Sequence, residues 1–332
     1  MRFEVPHTNC HCERSEAISP IYVCLKQGDC RVVRSSLLAM TLANMDQPIF
    51  LPITKIVNET EQVKTFYFNF SLKSKPGQFV MLWVPGLDQK PFSIGYDSGA
   101  QFGLTIFNRG PLTKALFEMK IGDRVGITGP YGTAFSVKPN THYIMVAGGY
   151  GAAPLGFLAE ELSNCHPERG LAADEGSLAH DNNVTIDFCV GARDKDNLLF
   201  EERVKKLPNV TLHLATDDGS AGHKGYVTDL LSELADSYLR NQTMPKKLLF
   251  VTCGPELMEF KVLEFCNLRN LECEISIERF MKCGIGICGQ CCVDPLGIRM
   301  CMEGPVVSKA VANQLTEFGK YHRDKSGAKI YY

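Results

Sequence analysis

Four cysteines near the C-terminus, Cys283, Cys288, Cys291 and Cys301, stand as C-x4-C-x2-C-x9-C in the stretch ERFMKCGIGICGQCCVDPLGIRMC. The first three have the plant-type spacing for a [2Fe–2S] cluster. Thiolates so spaced can converge on one inorganic core only if the backbone between them wraps tightly. Gly284, Gly286 and Gly289 allow that wrapping and let N–H groups approach the sulfurs. Structural zinc, the competing metal, is usually held by paired C-x2-C knuckles, and here only Cys288 and Cys291 have that spacing. Cys292 adjoins Cys291, so its side chain is expected to point away from the cluster as a small buried hydrophobe. A cluster of this kind passes one electron at a time, so the rest of the chain must provide the other end of the route.

Two glycine-rich or hydroxyl-bearing stretches could bind a nucleotide. VAGGYGAAPL (146–155) leaves a strand through Gly148, Gly149 and Gly151 and enters a helix, whose free N–H groups and positive dipole end suit a pyrophosphate. Such turns also arise for packing reasons alone. In KPFSIGY (90–96), strand alternation puts Lys90 and Phe92 on one face and Ser93 on the other. Lys90 could reach a phosphate, and Phe92 or Ser93 an aromatic cofactor, although an ordinary strand with an exposed lysine reads the same way. RGPLT (109–113) starts a helix that could hold a diphosphate at its amino end.

The elements that position these residues have two different periods. Between 49 and 137 the chain reads as short strands at 50–57, 63–70, 78–84, 92–96, 103–108 and 124–129, interrupted by one helix at 112–119. That spacing predicts an antiparallel barrel or sandwich. From 141 onward apolar strands at 142–149, 184–191, 210–216, 246–254 and 272–278 alternate with helices at 153–163, 198–207, 227–239 and 255–268. Alternation of this kind predicts a parallel sheet with helices on its faces. The expected fold class is therefore multidomain β plus α/β. It has a β-barrel over 45–138, a Rossmann-like parallel α/β domain over 139–277, and a small cysteine segment with a tail over 278–332.

The chain has 332 residues, 45% of them hydrophobic and 22% charged, and a formal net charge of −2. That balance fits a globular protein and gives no electrostatic case for nucleic acid or an anionic membrane. No run approaches the roughly 18 apolar residues of a membrane helix. Fourteen cysteines beside a cluster motif point to a reducing, cytoplasmic setting and not to disulfides. Residues 1–44 look unlike the rest, and IYVCL is too short for the core of a signal peptide. CHCERSEAIS resembles peptides translated from bacterial interspersed repeat elements, and CHPERGLAADEGSLAHD (165–181) is similar in character. The first is expected to be an extension that is disordered or misannotated, the second an insert loop over 164–182. Cys10, His11 and Cys12 lack further ordered ligands for a metal.

The order barrel, KPFSI, GPYG, AGGYGAAPL and CGP (253–255) is similar to the ferredoxin–NADP reductase superfamily. With the cysteine motif, ATDDGSAGHKGYVTDLL (215–231) and EFGKYHRD (317–324), it resembles within that superfamily the electron-transfer subunits of dihydroorotate dehydrogenase B. The resemblance covers about residues 48–325. Three departures stand out: Lys90 where the family's flavin motif begins with Arg, the added segments at 1–44 and 165–181, and a short loop from Cys291 to Cys301.

The resemblance implies FAD in the barrel, a [2Fe–2S] cluster on the four cysteines, and NAD(H) across the cleft. Lys90, Phe92 and Ser93 would contact the flavin, Leu104, Thr105 and Ile106 would line it, and Gly110, Leu112 and Thr113 would cradle its diphosphate. Gly148, Gly149 and Gly151 would form the nicotinamide-domain turn, with Cys253 and Gly254 near the hydride-transfer zone. Asp217 and Asp218 would oppose a 2′-phosphate and favour NADH, whereas Arg193 argues for NADPH. Flavin accepts electrons in pairs or singly, so it can stand between hydride and cluster. The implied role is relay from an FMN-containing catalytic subunit, in a heterotetramer of two plus two, to NAD+ in pyrimidine synthesis. No site for dihydroorotate is visible in this chain. Two other readings remain at this stage: a sulfhydrogenase or anaerobic sulfite reductase flavin subunit, and a redox sensor without enzymatic activity.

Overall fold

The computed structural model describes residues 47–163, 183–241 and 247–332. The expected N-terminal extension with Cys10, His11 and Cys12, and the expected insert over 164–182, lie outside the described residues.

The first sheet is antiparallel and is built from β1 (Ile49–Pro52), β2 (Lys55–Asn58), β3 (Val63–Phe68), β4 (Phe79–Val84), β5 (Asp88–Asp97), β6 (Phe102–Phe107) and β7 (Arg124–Tyr131), with helix α1 (Pro111–Glu118) between the last two. Its strand order is β1-β7-β4-β5-β6-β3-β2. The strand expected over 50–57 is thus two strands, one at each edge of the sheet. The chain bends at Ile53–Thr54, where Ile53 N donates to Asp123 O at 2.8 Å and Thr54 N to Tyr67 O at 2.8 Å. Phe66, Phe68, Leu82, Ile94 and Phe102 fill the interior.

The second sheet contains β8 (Thr141–Gly148), β9 (Thr185–Ala192), β10 (Val210–Thr216), β11 (His223–Lys224), β12 (Lys247–Cys253) and β13 (Glu272–Ser276). Every residue of β8 is buried, as a central parallel strand covered on both faces should be. Helices α2 (Ala152–Ser163), α3 (Leu231–Arg240) and α4 (Glu256–Leu268) connect these strands. Amphipathic α3 buries Leu231, Leu234 and Ala235, a one-sided stripe. In contrast α2 is buried nearly all round, because it packs on the sheet with one side and on the barrel with the other. Its Phe157 belongs to the barrel core. The helix expected over 198–207 shrinks to one turn, Glu201–Val204, because Phe200 adopts a left-handed φ of 63° and Leu198 and Leu199 enter the core as extended chain. Arg203 follows and clasps Glu160 of α2 and the Gly95 carbonyl of β5.

The cysteine segment carries a two-strand hairpin, β14 (Cys292–Val293) with β15 (Ile298–Arg299), then β16 (Val306–Ser308). β16 joins the second sheet antiparallel to β13, giving the order β11-β10-β9-β8-β12-β13-β16. The chain ends in the hairpin β17 (Tyr321–Arg323) and β18 (Lys329–Tyr331).

At the edge of the parallel sheet opposite its strand ends, Asp187 bridges His142 Nε2 at 3.0 Å and His213 Nε2 at 2.9 Å, tying β8, β9 and β10. Burial pushes the Asp187 carboxyl up, but the two imidazoles outweigh it and hold it down to about 2. A carboxyl lowered in this way adds stability above its unfolded pKa near 4 and loses it as pH falls toward 2. Asp187→Asn should therefore lower unfolding free energy by about 2 kcal/mol at neutral pH. In denaturant titrations the difference should shrink below pH 4, and an unchanged midpoint at pH 7 would show that the bridge adds nothing.

Candidate functional site

The chain runs outward from β8 in one direction through β9 and β10, and in the other through β12 and β13, so the switch point lies between β8 and β12. Ligands of open α/β sheets bind outside the strand ends at such a point. Here the two strand ends touch. A Cβ on Gly151 would lie 2.1 Å from the Cys253 carbonyl oxygen, and one on Gly148 would lie 2.5 Å from Pro255. Gly151 and Gly148 are thus required by packing, while Gly149, with φ +53° and open space beside it, shapes the exposed part of the turn. Gly254, at φ +156°, abuts the Gly148 amide. Cys253 is buried; burial and nearby Glu259 and Glu278 push its thiol well up, and Ser276 bonds it.

Three further side chains lie at or beneath this crevice. Tyr150, within the glycine turn, donates its hydroxyl to Glu278 Oε2 at 3.1 Å and stacks on Phe107 at the end of β6. Its hydroxyl is pushed up by the Glu278 charge first and by burial second. Glu278 is solvent-exposed yet enclosed on its flanks, as befits the floor of a cleft. Crowding by protein raises its carboxyl, while Tyr150 and Arg109 pull it back. Glu259 of α4 is 1% exposed; its Oε1 accepts the Gly254 amide at 2.9 Å and its Oε2 has no partner. Burial raises it far above the usual carboxylate range.

On the barrel side, Lys90, Phe92 and Ser93 are all half-buried on β5. Lys90 Nζ pairs with Asp88 at 2.9 Å and lies 4.7 Å from the centre of the Phe280 ring, so in this structure it reaches toward the cysteine segment. Strand parity separates Leu104, Thr105 and Ile106. Leu104 and Ile106 send their side chains into the barrel core, leaving backbone to line a ligand, whereas Thr105 meets Thr65 on the other face. Leu112 is also a core residue. Thr113 Oγ1 accepts the amides of Arg109 and Gly110, both at 2.9 Å, and so shapes the loop instead of reaching outward. Open space surrounds Gly110, and the first-turn amides of α1 have no intrahelical acceptor. Asn108 Oδ1, just before this loop, is buried without a partner. An anionic nucleotide with donor groups fits that combination.

The four motif cysteines are free thiols, with Cys291 and Cys301 buried, Cys283 half-buried and Cys288 exposed. Burial pushes the Cys283 thiol up, but the amides of Cys288, Ile285 and Ile287 and the Cys288 thiol pull it down to about 7. Burial and the neighbouring Cys291 thiol push Cys301 up to about 12, and the Gly286 amide donates to its sulfur at 3.2 Å. Cys283 and Cys288 share a hydrogen bond, as do Cys291 and Cys301, so the thiols are linked in two pairs, and the Cys283 charge also reaches Cys301. Among the described residues no three Cys, His, Asp or Glu side chains converge tightly enough for a single ion. Two pairs with amides aimed at sulfur suit a two-iron core better than one tetrahedral zinc. Gly284 and Gly286, both at φ +76°, bring the loop against Met81 of β4 and Met302. Cys292 is half-buried, near Arg299 and Glu303, and takes no part in either pair.

The outward loop with Asp217 and Asp218 is exposed; Asp218 accepts the Ser220 amide and hydroxyl, and Ser220 accepts the Lys195 amide. This fastens it to the loop after β9, which carries exposed Arg193.

Residues 278–310 match the family model described as the iron-sulfur cluster binding domain of dihydroorotate dehydrogenase B. A relative from Methanocaldococcus jannaschii, named "Probable dihydroorotate dehydrogenase B (NAD(+)), electron transfer subunit", is 42% identical over 87% of this chain and all of its own length. The chain belongs to the family of dihydroorotate dehydrogenase B electron-transfer subunits. A second relative of the same name, from Methanothermobacter thermautotrophicus, is 36% identical over 86% of this chain and 98% of its own. Among solved structures, an NADH-dependent reduced ferredoxin–NADP oxidoreductase studied for flavin-based electron bifurcation matches with a TM-score of 0.63 and 26% identity, over 80% of this chain and 89% of its own. A ferredoxin–NADP+ reductase from Plasmodium falciparum, at 17% identity and a TM-score of 0.54 over 67% of this chain and 93% of its own, shares the fold. As a dihydroorotate dehydrogenase B electron-transfer subunit the chain is an oxidoreductase component that works with a catalytic partner subunit. No helix among the described residues is long and apolar enough to cross a membrane.

Residue spacing gives no sign of the Tyr150–Glu278 pair or of Glu259. ISIE at the end of a strand and just before the cysteines was the only available hint for Glu278. For the cluster, Cys301→Ala should leave less than half the iron of the parent protein, while Cys292→Ser should keep it; iron assay with visible absorption checks both. Full iron in the Cys301 variant would remove that residue from the ligand set.

Proposed function

We propose that the chain carries electrons from an FMN-containing catalytic subunit through a [2Fe–2S] cluster and FAD to NAD+, serving dihydroorotate oxidation in pyrimidine synthesis. One observation carries this reading: the cysteine loop sits directly on the strand pair that bears the KPFSI motif. Gly284 packs against Met81, whose partner across β4 and β5 is Pro91, and Phe280 lies under Lys90. When bound, the flavin exchanges electrons singly with the cluster and in pairs with the nicotinamide, which is the chemistry the protein itself lacks.

The chain's own residues bind and orient. Phe92, Ser93 and the backbone of Leu104–Ile106 offer the barrel wall, with Gly110 and the first-turn amides of α1 for the diphosphate. The turn at Gly148, Gly149 and Gly151, with Cys253 and Gly254, forms the nicotinamide floor opposite. Cys283, Cys288, Cys291 and Cys301 hold the cluster. Exposed Ile287, next to Cys288, and exposed Met302, against Gly286, give the cysteine loop an apolar edge for the catalytic subunit. We assign a two-plus-two assembly to the pair and a cytoplasmic setting, which keeps thiolates reduced.

Co-purification with the catalytic subunit tests this. The complex should contain FAD, FMN and about two iron atoms per chain of this subunit, and should reduce NAD+ when given dihydroorotate. A complex without FMN that ignores dihydroorotate would end the pyrimidine assignment and leave the reductase fold intact.

A further inference from the structure

Tyr150 occupies a turn whose backbone demands are met by its glycine neighbours, so its large polar side chain needs a separate explanation. Its ring lies on Phe107 with centroids 6.0 Å apart and planes inclined by 28°. That contact joins the turn after β8 to the end of barrel strand β6. Its hydroxyl donates to Glu278 Oε2 across 128 residues of sequence. Glu278 stands just past the C-terminal end of β13, exposed to the crevice; crowding by protein raises its carboxyl, and the Tyr150 hydroxyl and the Arg109 charge offset part of that. The other acid here, Glu259, is buried and accepts the Gly254 amide, so Glu278 is the carboxyl group exposed to the crevice.

An oxidised nicotinamide ring carries a positive charge, and hydride addition removes it. A carboxylate held at fixed distance therefore acts on one redox form of the ligand and leaves the other nearly untouched. We infer that Tyr150 is a positioning residue that fixes the Glu278 carboxylate so that the crevice prefers the oxidised, cationic nicotinamide over the reduced, neutral one. The inference rests on the nicotinamide reading of this crevice given above. Such a preference draws in the electron acceptor and speeds departure of its reduced product. Phe107 keeps the tyrosine ring from swinging away, and the hydroxyl keeps the carboxylate from turning to solvent.

The test uses the complex loaded with FAD and cluster. Equilibrium dissociation constants are measured for NAD+ and for 1,4,5,6-tetrahydro-NAD, a neutral analogue that transfers no hydride. Glu278→Gln should reduce the preference for NAD+ about fivefold, the fold-change of about 1 kcal/mol. Tyr150→Phe keeps the ring on Phe107 and should move the ratio in the same direction by a smaller factor. Visible absorption of flavin and cluster checks folding, and Glu278→Gln alone decides the matter if Tyr150→Phe loses its FAD. An unchanged ratio in Glu278→Gln, an unchanged ratio in a folded Tyr150→Phe, or equal weakening of both ligands would overturn the inference. Failure of the FAD-loaded parent complex to bind either nucleotide would overturn the nicotinamide reading, and this inference with it.

Discussion

One buried guanidinium holds the functional half of this protein together. Arg279 follows β13, with its side chain almost wholly buried, and binds Glu256 at 2.5 Å and Glu317 at 3.0 Å. Glu256 is the first residue of α4, immediately after the Cys253–Gly254–Pro255 turn, and also accepts the Gly319 amide and the Tyr332 hydroxyl. Glu317 begins the C-terminal tail, which Arg323 ties further to Asp294 of the cluster segment at 2.9 Å. A single cation thus connects the turn after β12, the approach to the cysteine segment and the tail. Removing one partner of such a buried pair leaves an uncompensated charge, at a cost of about 3–5 kcal/mol. Extended-chain alternation then does the rest: with Arg279 directed inward, Glu278 faces the crevice and Phe280 faces Lys90.

The barrel is fixed to this frame by a different device, a helix shared between two cores. Because α2 is apolar on almost every side, it cannot lie on the surface, and both the parallel sheet and β5 press against it. At Gly95 an added Cβ would come within 3.0 Å of Ala153, so strand and helix approach at backbone distance. Arg203 seals the contact by bonding Glu160 and the Gly95 carbonyl while packing on Tyr96. The consequence is a crevice of set width between β6 and the glycine turn. Electron relay depends on such fixed separations, because the protein contributes orientation and environment while the cofactors supply the redox chemistry.

Much of this was legible in the residues. Cysteine spacing named the cluster, and the change of period near residue 140 separated barrel from parallel sheet, since both signals are local. What escaped was non-local or depended on parity. Tyr150 and Glu278 are joined only because β8 and β13 flank β12, which no spacing rule encodes. Arg279 and Glu317 look like ordinary surface charges until the tail folds back. The run Leu104–Ile106 does not by itself say which side chains face inward; period-2 alternation turns Leu104 and Ile106 into the core and leaves Thr105 on the opposite face. The segment 198–207 has helical spacing of its apolar residues, but Leu198 and Leu199 gain more by entering the core as extended chain. β16 gave no warning at all: three residues after a cysteine loop complete a sheet begun 165 positions earlier.

We propose that the flavin strand, the nicotinamide turn and the cluster loop form one electron route within this chain. Anaerobic titration of the FAD-loaded subunit with NADH, followed by low-temperature electron paramagnetic resonance, tests it most directly. A reduced two-iron signal should grow to about one spin per chain as NADH is added. Flavin bleaching with the cluster left fully oxidised, when dithionite can still reduce it, would contradict a route that joins the three.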